Sequence, residues 1–308
     1  MTSPPDGRPQ RLVYLGTPAM AVAPLVALHQ AGFDIGLVVS RPDAKRGRGG
    51  ALVPSPVKAA AVALGLPVTD QIDDLLTLGL DPTRDLGVVV AYGRIIKAPV
   101  LDALALVNLH FSLLPRWRGA APVERAILAG DERAGVCLMA VEEGLDTGGV
   151  YARVEVPVGP DETADELRTV LVETGTALLV EHLRVGLGPV EAQVGDVTYA
   201  EKVAADERRL RWTEPALALH RRVRVGDAWT TFRGRRLKVW RTLVTPSSDA
   251  AHPALGPGEV AGTLVGTGDG LVDLVEVQPE GKARQSAQAW VNGARPAPGD
   301  VLGASVEP

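Results

Sequence analysis

The sequence predicts an α/β protein in two parts, a doubly wound, mainly parallel sheet followed by a small β-barrel. Three observations carry this. From Arg11 to Val185, short continuous apolar runs alternate with helical stretches, as in a Rossmann-like sheet covered on both faces. Beyond residue 208 the texture changes to short alternating segments separated by Gly and Pro turns. The charge balance changes at the same place. Residues 1–207 hold 18 Lys/Arg against 27 Asp/Glu, whereas residues 208–308 hold 14 against 10.

The elements follow in order. Arg11–Leu15 reads as a first strand, broken by Gly16-Thr17-Pro18. An Ala/Val/Leu-rich helix runs to about Ala31, and Gly32 ends it. Then come a strand at Ile35–Val39, a helix near Pro56–Leu64 and buried strands at Leu86–Ala91 and Ala105–His110. A helix at about Ala121–Ala129 precedes strands at Gly135–Val141 and Val150–Val158, and Asp161–Val185 reads as a long helix. A connector covers 188–207. An amphipathic helix at Ala216–Val223 introduces strands at Thr230–Phe232, Arg235–Trp240, Gly258–Thr263 and Leu271–Val277. The expected division is a loose tail over 1–10, a catalytic domain over 11–187, a linker over 188–207 and a C-terminal domain over 208–308.

Composition narrows the function. At 308 residues and 46% hydrophobic content the chain can fill two cores. No apolar run approaches the roughly 20 residues a membrane helix requires, and the first ten residues lack a secretory apolar core. Cys137 is the single cysteine; with no Cys/His cluster beside it, no zinc site or other metal is expected, and it reads as a small buried hydrophobe. These features predict a soluble protein of a reducing compartment, the cytoplasm; a monomer is a separate expectation that no sequence feature carries. Gly16-Thr17-Pro18 lies between strand and helix, yet neither G-x-G-x-x-G nor G-x-x-x-x-G-K-[ST] is present, which disfavours a dehydrogenase or a P-loop enzyme. The turn is expected to bring backbone close to a reaction cleft. Within 208–241 there are 11 basic and two acidic residues, the pattern of a polyanion-binding module on a net-acidic protein.

Chemistry concentrates at Asn108-Leu109-His110 and at Gly144-Leu145-Asp146-Thr147-Gly148. Side chains two apart on a strand share a face, so Asn108 and His110 project together from a strand's carboxyl end, where ligands of such sheets bind. Asn offers an amide donor, His a proton carrier near neutrality, and Asp a group that orients or charges the His. An oxyanion stabiliser, an acid/base and an orienter are the parts that acyl transfer onto a nucleophile requires. Taken alone, an Asn-x-His on a strand is more often structural, and a Gly-flanked Asp is more often a plain turn.

The surrounding string raises the specificity. Asn108-Leu109-His110, Ser112-Leu113-Leu114-Pro115, Arg116-Trp117-Arg118-Gly119-Ala120-Ala121-Pro122 and Gly144–Gly148 together resemble the methionyl-tRNA formyltransferase family. The core motif is shared with other formyltetrahydrofolate transferases; the Arg-Trp-Arg-Gly-Ala-Ala-Pro extension narrows the choice. Leu15-Gly16-Thr17-Pro18, Pro54-Ser55-Pro56-Val57-Lys58, Val90-Ala91-Tyr92-Gly93, Thr198-Tyr199-Ala200-Glu201-Lys202, Gly268-Asp269-Gly270 and Ser286-Ala287-Gln288 extend the likeness over almost the whole chain. Three departures stand out: Ala44 where a basic residue is usual, Asp227-Ala228-Trp229-Thr230 without the common Pro-Trp-Pro, and Gln285 where methionine is frequent.

The resemblance implies an OB-like C-terminal barrel, 10-formyltetrahydrofolate as donor and the α-amino group of methionine on initiator tRNA as acceptor. For that reaction Asn108 and His110 are assigned to the formyl oxygen, His110 either protonated or bridged by water, with Asp146 holding His110 and receiving the amine proton or relaying it through water. The folate is expected along Ser112, Leu113, Leu114 and Pro115 and against Tyr92, Gly93, Arg94 and Ile95; core packing is the alternative for Leu113 and Leu114. Two surfaces are expected to meet tRNA. One is the Gly-rich loop with Lys45, Arg46 and Arg48, which reads as mobile and which solvation alone would also explain. The other holds Arg208, Arg209, Arg211, Arg221, Arg222 and Arg224, some of which must pair with nearby acids. The rivals are a formyltransferase for a small amine (a purine precursor or an amino sugar nucleotide) and an RNA-binding protein that has lost catalysis. A small acceptor would not require the basic C-terminal module, and a dead site would have little reason to keep all three residue types.

Overall fold

The structure, a computed structural model, describes residues 2–46, 50–245 and 254–304. They sort into two compact units, one comprising the chain through Val123, Arg133–Pro157 and Arg168–Glu201, the other Glu124–Glu132, Val158–Leu167 and the chain from Lys202.

The first unit is built on a seven-stranded sheet. Its strands are β1 (Arg11–Gly16), β2 (Asp34–Val39), β3 (Val68–Thr69), β4 (Asp85–Val90), β5 (Leu106–His110), β6 (Arg133–Ala140) and β7 (Val150–Pro157). In space they run β7-β6-β5-β4-β1-β2-β3. The pairs from β5 through β4, β1 and β2 to β3 are parallel, and β6 is antiparallel to both β5 and β7. The mainly parallel, doubly wound reading therefore holds, with a two-strand antiparallel edge.

Local chemistry explains the helices. Helix α1 (Val22–Gln30) ends where Gly32 takes φ 75°, a left-handed conformation that glycine enters without a Cβ clash. Helix α2 (Pro56–Ala63) starts with Pro56 behind Ser55, whose Oγ accepts from Lys58 N–H at 3.0 Å. The six-residue helix α3 (Ala98–Ala103) was too short to announce itself by period. The expected start of the long helix at Asp161 moves three residues on, to α5 (Ala164–Val185), behind α4 (Pro122–Ala129). The reason is a capping box: Thr163 Oγ1 accepts from Glu166 N–H at 3.3 Å, and Glu166 Oε2 accepts from Thr163 N–H at 2.8 Å.

At the described ends of the Gly-rich loop Ala44–Arg46 pairs antiparallel with Ala51–Val53, and the expectation of a mobile loop falls in part on 47–49, outside the described residues. Lys45 and Arg46 lie on the first of these strands, and Arg48 lies outside the described residues.

The second unit contains an antiparallel sheet of β8 (Trp229–Phe232), β9 (Arg235–Thr245), β10 (Val260–Ala261), β11 (Leu264–Gly266), β12 (Leu271–Pro279) and β13 (Gln285–Ser286). The order is β8-β9-β12-β11-β10, with β13 also on β12. Strand β9 runs past its expected end at Trp240 because its register against β12 shifts on both sides of Arg241, and the alternation slips there. Helix α6 (Ala216–Arg224) buries Leu219, His220, Val223 and Arg224. Helix α7 (Ala287–Ala294) was not anticipated; Ser286 caps it and Trp290 is buried, meeting Phe232 edge-to-face at 5.1 Å.

Candidate active site

The site forms where β4 and β5 end together. Val89 lies opposite Asn108 in the parallel register, so the chain leaving β4 at Ala91–Tyr92 passes beside His110 as β5 ends. The expected turn at Gly16–Pro18 reaches the same place: Thr17 Oγ1 donates to the Tyr92 carbonyl at 3.2 Å.

His110 is 6% exposed. Its Nε2 lies 3.0 Å from the Trp117 carbonyl oxygen. A carbonyl only accepts, so Nε2 carries the hydrogen and a neutral ring has its lone pair on Nδ1. That atom faces Asp146 Oδ2 at 3.6 Å. A lone pair facing a carboxylate is repulsive, and a second proton on Nδ1 turns the contact into an ion pair. The arrangement presents one nitrogen, Nδ1, to chemistry. Asp146 is held independently, its Oδ2 accepting the Gly119 N–H at 2.8 Å. Asn108, partly exposed, has a carboxamide with no hydrogen-bond partner in the protein among the described residues, which leaves it available to a ligand.

Backbone strain collects at the same three loops. Ala91, Trp117 and Asp146 have φ of 47°, 63° and 50°, a region that costs an L-residue about 1–2 kcal/mol. One of them supplies the His110 acceptor and another is the carboxylate, which is the pattern of strain retained at a working site.

The remaining expected residues divide by surroundings. Ser112 is buried, and its hydroxyl donates to the Arg116 carbonyl at 2.6 Å, closing the turn that delivers Trp117. Leu114 packs with Cys137, Met139 and Val150 in a small core, and Leu113 lies against Gly135, where a Cβ would sit 2.4 Å from its Cδ2. Pro115 follows Leu114 through a cis peptide bond. Burial raises the Cys137 thiol above its ordinary value, in keeping with a small hydrophobe. Tyr92 is buried among Val13, Leu15 and Val89. Gly93 turns at φ 71° and its carbonyl accepts from Arg41 Nη2 at 2.6 Å, while Arg94 and Ile95 are exposed, Ile95 at 87%. Among the described residues, the backbone N–H groups of Arg94 and Ile95 donate to no protein carbonyl.

The basic residues of the second unit are less free than their sequence suggests. Arg222 makes a two-pronged bond to Glu214 at 3.0 and 2.8 Å. Arg224 is buried and donates to the carbonyls of Glu162 and Gly159. Arg211 pairs with Asp206 at 2.7 Å, Arg208 donates to the Gly226 carbonyl at 2.8 Å, and the Arg221 guanidinium lies against Gly130. Sequence reading missed a basic and aromatic face on the sheet. Arg209 and Arg236 stack on Trp229 at 5.5 and 4.5 Å, and Lys238 and Arg284 on Trp240 at 5.2 and 4.8 Å. The signal was present, since Arg236, Lys238 and Trp240 alternate along one strand.

The stretch read as a connector also belongs to the site's surroundings. Glu191 exchanges hydrogen bonds with Val150, and Tyr199–Ala200 pairs in parallel with Arg118–Gly119. Thr198 Oγ1 accepts the Trp117 N–H at 2.9 Å.

Comparison with known proteins agrees along nearly the whole chain. A family described as "Formyl transferase" matches residues 10–183, and one described as "Formyl transferase, C-terminal domain" matches 202–295. The methionyl-tRNA formyltransferase of Symbiobacterium thermophilum is 42% identical over 307 residues, covering 92% of each chain. That of Arthrobacter sp. (strain FB24) is 44% identical, covering 92% of this chain and 96% of its own. That of Neisseria meningitidis serogroup C is 38% identical over 95% of this chain and its full length. In fold the chain is similar to an N-formyltransferase of Helicobacter canadensis solved with folinic acid and dTDP-3-aminofucose, with a TM-score of 0.63 at 15% identity over 86% of this chain and 99% of that one. A methionyl-tRNA formyltransferase from Clostridium thermocellum gives 0.55 at 13% identity over 76% and 93%. With matches of about 40% identity running nearly end to end, the chain belongs to the methionyl-tRNA formyltransferase family.

Proposed function

We propose that this protein transfers a formyl group from 10-formyltetrahydrofolate to the α-amino group of methionine carried by initiator tRNA. The observation that carries the chemistry is the meeting of Asn108, His110 and Asp146 at one strand end, with Asn108 unengaged among the described residues and His110 presenting Nδ1. The acceptor is supported by relatives of that name that match the chain nearly end to end.

The attacking group is the amine nitrogen of the esterified methionine. As its bond to the formyl carbon forms, negative charge develops on the formyl oxygen. The Asn108 amide N–H and the His110 Nδ1–H donate to that oxygen, and preorganised donors of this kind are worth about 3–4 kcal/mol each. The new ammonium loses its proton towards Asp146. Collapse of the intermediate breaks the bond to the folate nitrogen, which gains the Nδ1 proton of His110. Asp146 then returns a proton to His110, and the site is restored. Proton loss at the amine and gain at the folate nitrogen balance.

The folate fits against the Tyr92–Ile95 loop and the Ser112–Pro115 turn. The unused N–H groups of Arg94 and Ile95 and the exposed Ile95 side chain suit the edge and face of a flat heterocycle. Among structural neighbours, one chain was solved with tetrahydrofolic acid and another with 5-N-formyl-tetrahydrofolate. Residues 11–187 are assigned to catalysis and 208–308 to tRNA, with Lys45, Arg46, Arg48, Arg208, Arg211, Arg221 and the face of Arg236 and Trp240 as candidate contacts, Arg222 being taken up by Glu214. The protein is read as a cytoplasmic monomer; no helix among the described residues is long and apolar enough to cross a membrane.

The test is transfer of labelled formyl to methionylated initiator tRNA beside elongator tRNA, a purine precursor amine and an amino sugar nucleotide. Label confined to the charged initiator supports the assignment. Label on a small amine alone overturns the acceptor and leaves the chemistry of the three residues standing.

A further inference from the structure

Gln193 uses every polar group it has. Its Nε2 donates to the carbonyl oxygens of Asp146 at 2.8 Å and Gly148 at 2.7 Å. Its Oε1 accepts from Nε and Nη2 of Arg118 at 3.1 and 2.7 Å. An amide offers two N–H donors and one acceptor oxygen, and only this orientation matches each with a partner of the right kind. Arg118 precedes Gly119, whose N–H binds the Asp146 carboxylate. One side chain therefore braces both the backbone that carries Asp146 and the strand that holds its carboxylate.

The loop needs such a brace. Asp146 sits at φ 50°, and Gly144, Gly148 and Gly149 surround it. Glycines add backbone freedom, so the resting conformation of the loop is set by what it binds. The segment that supplies Gln193 is itself fixed, at one end by the paired Glu191 and Val150, at the other by Thr198 and Ala200 on residues 117–121. The same segment thus steadies Trp117, the partner of His110, and Asp146.

We propose that Gln193 is a positioning residue for formyl transfer, acting through Asp146 and without touching substrate. This role rests on the assignment of Asp146 to catalysis. Displacing a catalytic group by about 1 Å can cost about a hundredfold in rate. Q193A is therefore expected to lower kcat by about ten- to a hundredfold and to leave KM for folate and for tRNA within about twofold.

The experiment is a double-mutant cycle on the full-length enzyme, comparing wild type, D146N, Q193A and D146N/Q193A in formyl transfer to charged initiator tRNA. Thermal unfolding establishes that each variant is folded. Q193M keeps the volume and deletes the same bonds, and it replaces Q193A if the latter does not fold. The expected result is a slow Q193A and a double variant no slower than D146N, because a residue that acts only through Asp146 has nothing left to position. Wild-type turnover in folded Q193A overturns the role. So does a double variant slower than D146N by the whole factor lost in Q193A, which would place the effect elsewhere. If D146N itself turns over like wild type, the assignment of Asp146 fails first, and the role of Gln193 falls with it.

Discussion

His110 donates its Nε2–H to the Trp117 carbonyl across 3.0 Å, so the nitrogen that faces Asp146 is Nδ1. In D146N the amide oxygen takes the place of Oδ2, the one atom that both the Gly119 N–H and His110 Nδ1 face, and the negative charge opposite Nδ1 is lost. His110 then lacks the carboxylate that orients it and is a poorer donor to the oxyanion and a poorer proton source for the folate nitrogen. Turnover is expected to fall by roughly 10²–10⁴-fold, with KM for folate little changed. Steady-state kinetics of the folded variant check this; a wild-type kcat would remove the ion pair from the mechanism.

Among the described residues Asn108 donates to no protein group, so its removal deletes the proposed transition-state donor without breaking a hydrogen bond of the fold. N108A is expected to slow transfer by about a hundredfold or more, with the unfolding temperature nearly unchanged. N108D, which replaces the donor with a charge of the wrong sign, should be slower still. Parallel rate and melting measurements separate this from a folding defect.

Gly148 has no room for a side chain: a Cβ there would stand 2.0 Å from the Ala140 carbonyl oxygen. G148A must move the Asp146 loop, and its activity is expected to drop by about the hundredfold that a 1 Å misplacement costs. G281A, at a turn where a Cβ meets nothing within 4 Å, is the contrasting case and should keep wild-type kcat even though its φ of 72° is unfavourable. Equal kcat for G148A and wild type would show that the loop tolerates displacement.

His220 makes stability depend on pH. Its Nε2 donates to the Pro160 carbonyl at 3.1 Å and its Nδ1 accepts from Thr242 Oγ1 at 2.9 Å. Burial lowers its pKa, outweighing the Pro160 bond and the Asp161 carboxylate, which favour the charged ring. The unfolded chain then binds a proton at higher pH than the folded one. Stability is accordingly full above the ordinary histidine value of about 6.5 and declines as pH falls from there towards the lowered folded value. Urea unfolding of wild type and H220Q between pH 5 and 8, a range set to span that value, should show a smaller slope in the variant; identical slopes would exclude His220 as the source.

The arginines of the second unit should separate into two kinds. Removing Arg222 breaks its bond to Glu214 and is expected to lower the melting temperature. Removing Arg236 or Trp240 should weaken tRNA binding with little change in melting. Each lost phosphate contact reduces the slope of log affinity against log salt by about 0.9 on duplex RNA if the duplex DNA value holds. Filter binding of the three variants across a salt series distinguishes them. Undiminished tRNA affinity in both R236A and W240A would leave the aromatic face without this role.

Much of this is legible in the sequence. Asn108 and His110 were placed on one strand face because a strand's period is two, and the buried runs at β1, β4 and β5 announced a parallel sheet. Asp146 came from the motif around it. Gln193 was not legible, because its partners are backbone carbonyls and an arginine distant in sequence, and an amide among loop residues has no pattern. Arg222 and Arg236 look alike in sequence; one meets Glu214 and the other stacks on Trp229, and only the folded register decides which. The pairing of 44–46 with 51–53 hid for a related reason, since Ala44-Lys45-Arg46 has neither the length nor the alternation of a strand.

The most direct measurement is single-turnover transfer of labelled formyl from 10-formyltetrahydrofolate to methionylated initiator tRNA, with wild type, N108A, H110A and D146N side by side. The account predicts rapid labelling by wild type and rates at least about a hundredfold lower for each folded variant. No labelling of the charged tRNA by wild type, or three variants as fast as wild type, would contradict it.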